Sequence, residues 1–232
     1  MDFKFLSEQV ATGENQTYWD WIVSGLAMTA TVSVVGFFLA VIIGIVLGSL
    51  RTTSGRTKQV ADILFEGVRS IPFLAQLFIG YFVLPSLLFP QALKTMNQEH
   101  LVLGVGIISL ALYMGVRISA QVTAGIQALP ASQLQAAKAL GFTKVQAYTH
   151  FLIPQALRNI LPSLTSEAMN TVKNSAVIST IGLVELTKQA GTIIDFTAKP
   201  FEAFTIILLG YLLINAVVLG AMKLITRYSK LA

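Results

Sequence analysis

Apolar residues fall in five blocks along the chain, at 21–50, 63–89, 101–116 with a polar continuation, 160–184 and 203–222. The first block runs 30 residues without a charge, well past the roughly 20 needed to cross a hydrocarbon core of about 30 Å. A buried strand is never that long. Backbone groups in lipid must be bonded within their own segment, so such blocks are helices rather than open strands. The pattern predicts an all-α, polytopic membrane protein with five transmembrane helices. The polar stretch at 1–18 is expected to be an extracytoplasmic surface helix or partly disordered, and 19–232 to form one membrane domain. No fixed-period repeat or low-complexity tract divides it. Within the first block, Gly44 and Gly48 are spaced as small residues are where helices approach closely, and local packing is the expected use.

Composition agrees with the blocks. Of 232 residues, 54% are hydrophobic and 12% charged, against roughly 25% charged in a soluble domain. The net charge of +5 does not point to nucleic acid, because the basic residues sit between apolar blocks rather than on one amphipathic face. Their distribution sets orientation instead. Arg51, Arg56, Lys58, Arg117, Lys138, Lys144, Arg158, Lys223, Arg227 and Lys230 fall on one side, and Lys4, Lys94, Lys188 and Lys199 on the other. The N-terminus is therefore expected outside and the C-terminus in the cytoplasm. Asp2, Glu8, Glu14, Asp20, Glu99, Asp195 and Glu202 gather on the outer side while Asp62 is inside, in agreement. Acids before the first block also argue for a permanent span rather than a cleaved signal. Cysteine is absent, which removes disulfides, thiolate nucleophiles and Cys-ligated metals.

The polar segment 129–161 is too hydrophilic to span and too regular for a linker. After Pro130, a helix can begin at Ala131 or Ser132, run through good helix formers from Gln133 to Leu140, and end at Gly141 in a left-handed cap. A turn and a second helical run, reset by Pro154, follow. The run from Gln135 through Ala136, Ala137, Lys138, Ala139 and Leu140 to Gly141, then Ile153, Pro154, Gln155, Ala156 and Leu157, then Pro162, resembles the EAA motif of permease subunits in binding-protein-dependent ABC importers.

Two further stretches strengthen the resemblance. Phe65 and Glu66, then Arg69, Pro72 and Gln76, are similar to the second-span signature of the polar amino acid subfamily. Thr165, Glu167, Asn170, Lys173, Asn174 and Ser175, then Ile181, Gly182 and Glu185, are similar to its fourth-span signature. The Lys173-Asn174-Ser175 form and the ending Leu212 to Asn215 look most like glutamate and aspartate permeases. The resemblance implies a type I ABC importer permease fold in a bacterial cytoplasmic (inner) membrane. It implies a coupling helix at about 131–142, seated in a groove of the ATPase through Gln135, Ala136, Ala137, Lys138, Gly141 and Phe142. Gln135 stands where the motif usually has an acid, so its side chain can offer a hydrogen bond but not a salt bridge there. The implied partners are a second permease subunit (identical or homologous), an ATPase subunit dimer that binds ATP and Mg, and an extracytoplasmic substrate-binding protein.

Charges at membrane depth cost at least about 2.5–3.5 kcal/mol each and normally face a cavity or a partner. Glu66 and Arg69 share a helical face, either as an ion pair orienting a helix kinked at Pro72 or with Arg69 lining the inner vestibule. Lys173, flanked by Asn170, Asn174 and Ser175, either holds a substrate carboxylate or ties helices together through carbonyls or Glu167. Arg69, Glu167, Asn170, Lys173, Asn174 and Ser175 form the candidate substrate pathway. Glu185 and Lys188 read as a solvated pair, and His100 and His150 are too isolated for a metal site.

The chain has no phosphate-binding loop, so ATP hydrolysis belongs to another subunit, and it has no nucleophile or metalloprotease motif. Five spans without an inverted repeat argue for a pathway between two subunits rather than a self-contained secondary transporter. The expected function is import of glutamate and aspartate by alternating access. The alternatives are a permease for glutamine, histidine or cationic amino acids, and a non-transporting membrane scaffold.

Overall fold

The computed structural model describes residues 2–10, 12–13, 15–91 and 95–229. Glu14, Lys94 and Lys230, used in the charge distribution above, lie outside these. Among the described residues there are ten α-helices: α1 (Tyr18–Arg51), α2 (Arg56–Arg69), α3 (Phe73–Phe78), α4 (Leu84–Leu88), α5 (Gln98–Gln127), α6 (Ala131–Ala139), α7 (Lys144–Ala147), α8 (Ile153–Ser175), α9 (Leu186–Thr197) and α10 (Pro200–Ser229). An isolated bridge between Gln9 and Thr17 is the β-structure found among them. The chain is all-α, as the pattern predicts.

Three helices, α1, α5 and α10, are long and apolar enough to cross a membrane, and a fourth span results if α2 and the segment after its break count together. The fourth apolar block, at 160–184, is not one apolar helix. Arg158, Glu167, Asn170, Lys173 and Asn174 make α8 polar, and the helix stops at Ser175. A 3-10 turn at Ala176–Ile181 follows, and Gly182 at φ 100° ends it in the left-handed region. The second block departs too. Rather than a helix kinked at Pro72, α2 ends at Arg69 and a new helix starts at Phe73, because proline offers no N–H and restricts the residue before it. The third block extends eleven residues past Val116, to Gln127.

Two π-helical turns, Ile79–Val83 and Tyr148–Leu152, each precede a proline by two residues, Pro85 and Pro154. A proline ring collides with the carbonyl four residues back, and the widened turn accommodates it without ending the helix.

Contacts divide the chain into two units. Unit 1 comprises Met1–Val35, Leu74–Ser109 and Asn170–Val217. In it, Thr17 caps α1: its hydroxyl accepts from the Asp20 N–H at 3.3 Å, while Asp20 Oδ2 accepts from the Thr17 N–H at 2.8 Å. This reciprocal pair satisfies donors that a helix start leaves open. The N-terminal stretch is not a loose surface segment. Phe5 is 1% exposed and clusters with Val10, Tyr18, Trp21, Leu186 and Ile193. Apolar burial of that size outweighs the ordering of a short 3-10 helix, Lys4–Ser7.

Unit 2 comprises Gly36–Phe73, Leu110–Met169 and Val218–Ala232. Here the small residues of α1 meet α5. A Cβ at Gly44 would stand 2.4 Å from Ile118 Cγ2, and one at Gly48 would stand 2.7 Å from the Ser119 carbonyl oxygen. The spacing serves packing within the chain, as expected. Gly44→Leu should therefore destabilise by about 1–3 kcal/mol through overpacking. Gly67→Ala, where nothing lies within 4 Å, should stabilise α2 by about 0.5–1 kcal/mol. Thermal unfolding in detergent separates the two, and equal shifts would contradict the packing.

Candidate transport and coupling sites

The helix predicted after Pro130 is α6, with Pro130 at its N-cap and Gly141 at φ +83°. The Gly141 N–H reaches the Lys138 carbonyl at 3.0 Å and the Phe142 N–H reaches that of Ala137 at 3.1 Å. These are the two bonds of a Schellman cap. Thr143 starts α7 with a capping box to Gln146. Phe142 meets Phe151 edge to face at 5.1 Å, and the buried Ala137 rests beneath the turn. The outward side is the informative one. Gln135, Ala136 and Lys138 are exposed, with Leu140 at 77% and Val145 at 72%. A rigid knob carrying bare aliphatic side chains is shaped to be covered by something else.

A second feature lies within unit 2. A cavity of about 410 Å³ is bordered by α2, α5 and α8, with Phe65, Arg69, Tyr113, Arg117, Gln121 and Glu167 among its lining residues. Its size falls in the range of about 300–1,000 Å³ usual for small-molecule sites. Arg117 holds Glu167 in a fork, Nε to Oε2 at 2.9 Å and Nη2 to Oε1 at 3.2 Å. Glu167 has a side chain only 7% exposed while that of Arg117 is 43% exposed. Arg69 lies on the face of Phe65, 5.5 Å from its centroid, and Arg51 on the same ring at 3.5 Å.

Several sequence expectations change here. Glu66 and Arg69 form no ion pair; among the described residues the ion pairs are Arg51 with Asp62, and Arg117 with Glu167. Arg69 instead lies over the Phe65 ring, whose face attracts a cation. Arg117 is not in a connection between helices but inside α5, because that helix continues past Val116. It, and not Lys173, partners Glu167. Arg117 is the cavity-lining charge that sequence reasoning missed, and its one signal was a charge within a helical continuation of an apolar block.

Asn170, Lys173, Asn174 and Ser175 occupy the last turns of α8, in unit 1. Lys173 is exposed. Asn174 Nδ2 donates to the Asn170 carbonyl at 2.8 Å. Ser175 is fully buried, donating to the Val172 carbonyl at 2.7 Å and accepting from Ser33 at 3.3 Å, so it locks α8 to α1 rather than facing a pathway.

Glu185 is also not in a solvated pair. It is fully buried at the N-cap of α9, where Oε1 accepts from the Lys188 N–H at 3.0 Å and Oε2 accepts from Thr29 at 3.1 Å and Tyr211 at 2.9 Å. Lys188 contributes its backbone, not its ammonium. A carboxylate at a helix start is stabilised by the exposed N–H groups and the dipole, and here it ties α9 to α1 and α10. Among the described residues no cluster of His, Asp and Glu could hold a metal.

Residues 40–229 match the family of binding-protein-dependent transport system inner membrane components. The chain is 40% identical over 229 residues to the glutamate/aspartate import permease protein GltJ of Escherichia coli (strain K12), covering 96% of this chain and 93% of that one. It is similar to a solved amino acid ABC transporter with histidines, at 31% identity and a TM-score of 0.73, covering 91% of this chain and 95% of that one. The fold is also that of the MetNI methionine ABC transporter, at 20% identity and a TM-score of 0.72, covering 91% and 97%. The chain belongs to the family of inner membrane components of binding-protein-dependent transport systems. It is a permease subunit and not an enzyme; the ATPase of such a system is a separate subunit.

Proposed function

We propose that this chain is the permease subunit of an importer for glutamate and aspartate. The observation that carries the reading is 40% identity to a glutamate/aspartate import permease across 96% of the chain. Two such permease chains, identical or homologous, stand between an ATPase dimer that binds ATP and Mg and an extracytoplasmic protein that delivers the amino acid. Each chain contributes five spans, the polar α8 making its crossing against the partner rather than against lipid. The basic bias places the N-terminus outside and α6 in the cytoplasm.

On this reading the exposed knob at Gln135, Ala136, Lys138 and Leu140 seats in the ATPase. ATP closes the nucleotide-binding dimer, α6 moves with it, and the permease pair opens outward; hydrolysis reverses the motion. Arg69, Glu167, Asn170, Lys173 and Asn174 border the route, while Ser175 supports it from behind. The likeness to an amino acid transporter with histidines favours a basic amino acid as the second reading.

Reconstitution with the cognate ATPase and binding protein tests the substrate. Glutamate and aspartate should each stimulate ATP hydrolysis, and glutamine and arginine should not. Stimulation by arginine, or by none of the four, would overturn the substrate and leave the importer class standing.

A further inference from the structure

We infer that Arg117 is a specificity-determining residue, which masks the Glu167 carboxylate so that the cavity between α2, α5 and α8 accepts anionic amino acids and rejects cationic ones. The inference rests on the proposed glutamate and aspartate reading and names how the chain would make that choice.

Three ionisable side chains other than Tyr113 line this cavity: Arg69, Arg117 and Glu167. Taken as +1, +1 and −1, they sum to +1. Arg117 binds both oxygens of Glu167, so the negative charge is engaged by a fixed fork of donors and is not offered to an incoming ammonium. Among the described residues Arg69 has no carboxylate partner. Its guanidinium lies over the Phe65 ring, a contact that uses none of its N–H donors, so these can serve a ligand oxygen. An amino acid with an acidic side chain carries a net charge of −1 and finds a cavity of opposite sign. One with a cationic side chain meets the same sign and finds its natural partner, Glu167, already occupied. Without Arg117 the sum falls to zero and a deeply set carboxylate becomes available, which is the arrangement a cationic substrate needs. One side chain thus decides between two substrate classes, and discrimination comes from repulsion of the wrong ligand as much as attraction of the right one.

The test uses the purified permease–ATPase complex without binding protein, so that the receptor's selectivity does not enter, and equilibrium binding of radiolabelled L-glutamate and L-arginine. Wild-type complex should favour glutamate. Arg117→Gln should lower the glutamate-to-arginine affinity ratio by about tenfold or more, equivalent to about 1.4 kcal/mol. Arg117→Lys keeps the charge and should hold the ratio within about threefold. The double substitution Arg117→Gln with Glu167→Gln returns the sum to +1 and should restore it. Glu167→Gln alone raises the sum to +2 and should keep arginine excluded. An unchanged ratio in Arg117→Gln, or no recovery in the double variant, overturns the masking role. If Arg117→Gln does not assemble, Glu167→Gln decides: a tenfold loss of glutamate binding would mean that the carboxylate touches substrate and is not masked. Wild-type preference for arginine would instead defeat the acidic-substrate reading, an outcome distinct from a failed variant.

Discussion

Glu185→Ala should lower the apparent melting temperature of the purified complex by about 10 °C, for a loss of about 3–5 kcal/mol. The carboxylate is wholly buried and accepts from the Thr29 and Tyr211 hydroxyls and the Lys188 N–H. Removal leaves three donors facing a small void, each at a cost of about 1–3 kcal/mol unless it rotates to another acceptor. Thr29 retains the Gly25 carbonyl at 3.0 Å and Tyr211 retains Thr187 at 2.9 Å, which is why the total stays below the sum of the parts. Glu185→Gln, keeping one acceptor, should cost about half as much. Thermal unfolding followed by fluorescence in detergent measures both, and an alanine variant within 2 °C of wild type would mean that the carboxylate is not a clamp.

The second large effect concerns coupling. Gly141→Arg should abolish most substrate-driven uptake, by about tenfold or more, while the permease still co-purifies with its ATPase. Coupling free energies of about 1–3 kcal/mol correspond to changes of about 5–150-fold, and the variant attacks the element proposed to carry them. Gly141 sits at φ +83°, where any L side chain adds about 1–2 kcal/mol of backbone strain. A Cβ there meets nothing within 4 Å, so the arginine projects outward onto the exposed knob instead of disrupting the interior. Uptake in liposomes at matched assembly is the measurement. Undiminished uptake would remove α6 from the coupling path, and an unsubstituted complex that assembles but takes up nothing would favour a scaffold.

How much of this was legible beforehand differs from element to element. The knob was readable residue by residue, because Pro130 and Gly141 act locally and the intervening residues favour helix with few competitors. The long apolar helices were readable because lipid leaves the backbone one way to satisfy itself. The break at Ser70 to Pro72 was half readable: proline announced a change of direction, but its chemistry permits either a kinked helix or a stopped one.

Charges were the hardest to place. The sequence led to Glu167 being weighed against Lys173, a neighbour along the same helix, when its partner was Arg117, 50 positions away. Glu185 looked solvated beside Lys188, although its three donors come from three different helices. In both cases the interaction is decided by which helices lie side by side, and spacing along one helix carries no information about that.

Local chemistry and the demands of a bilayer were enough to read the class of fold, the position of the α6 knob and the lack of a phosphate-binding loop. That Arg117 engages Glu167, that Ser175 and Glu185 are buried braces, and that the N-terminal segment is packed by Phe5 emerged with the packing of the helices. A buried polar group is stable only with its hydrogen-bond partners brought to it, and which partners those are is a property of helix packing rather than of sequence order.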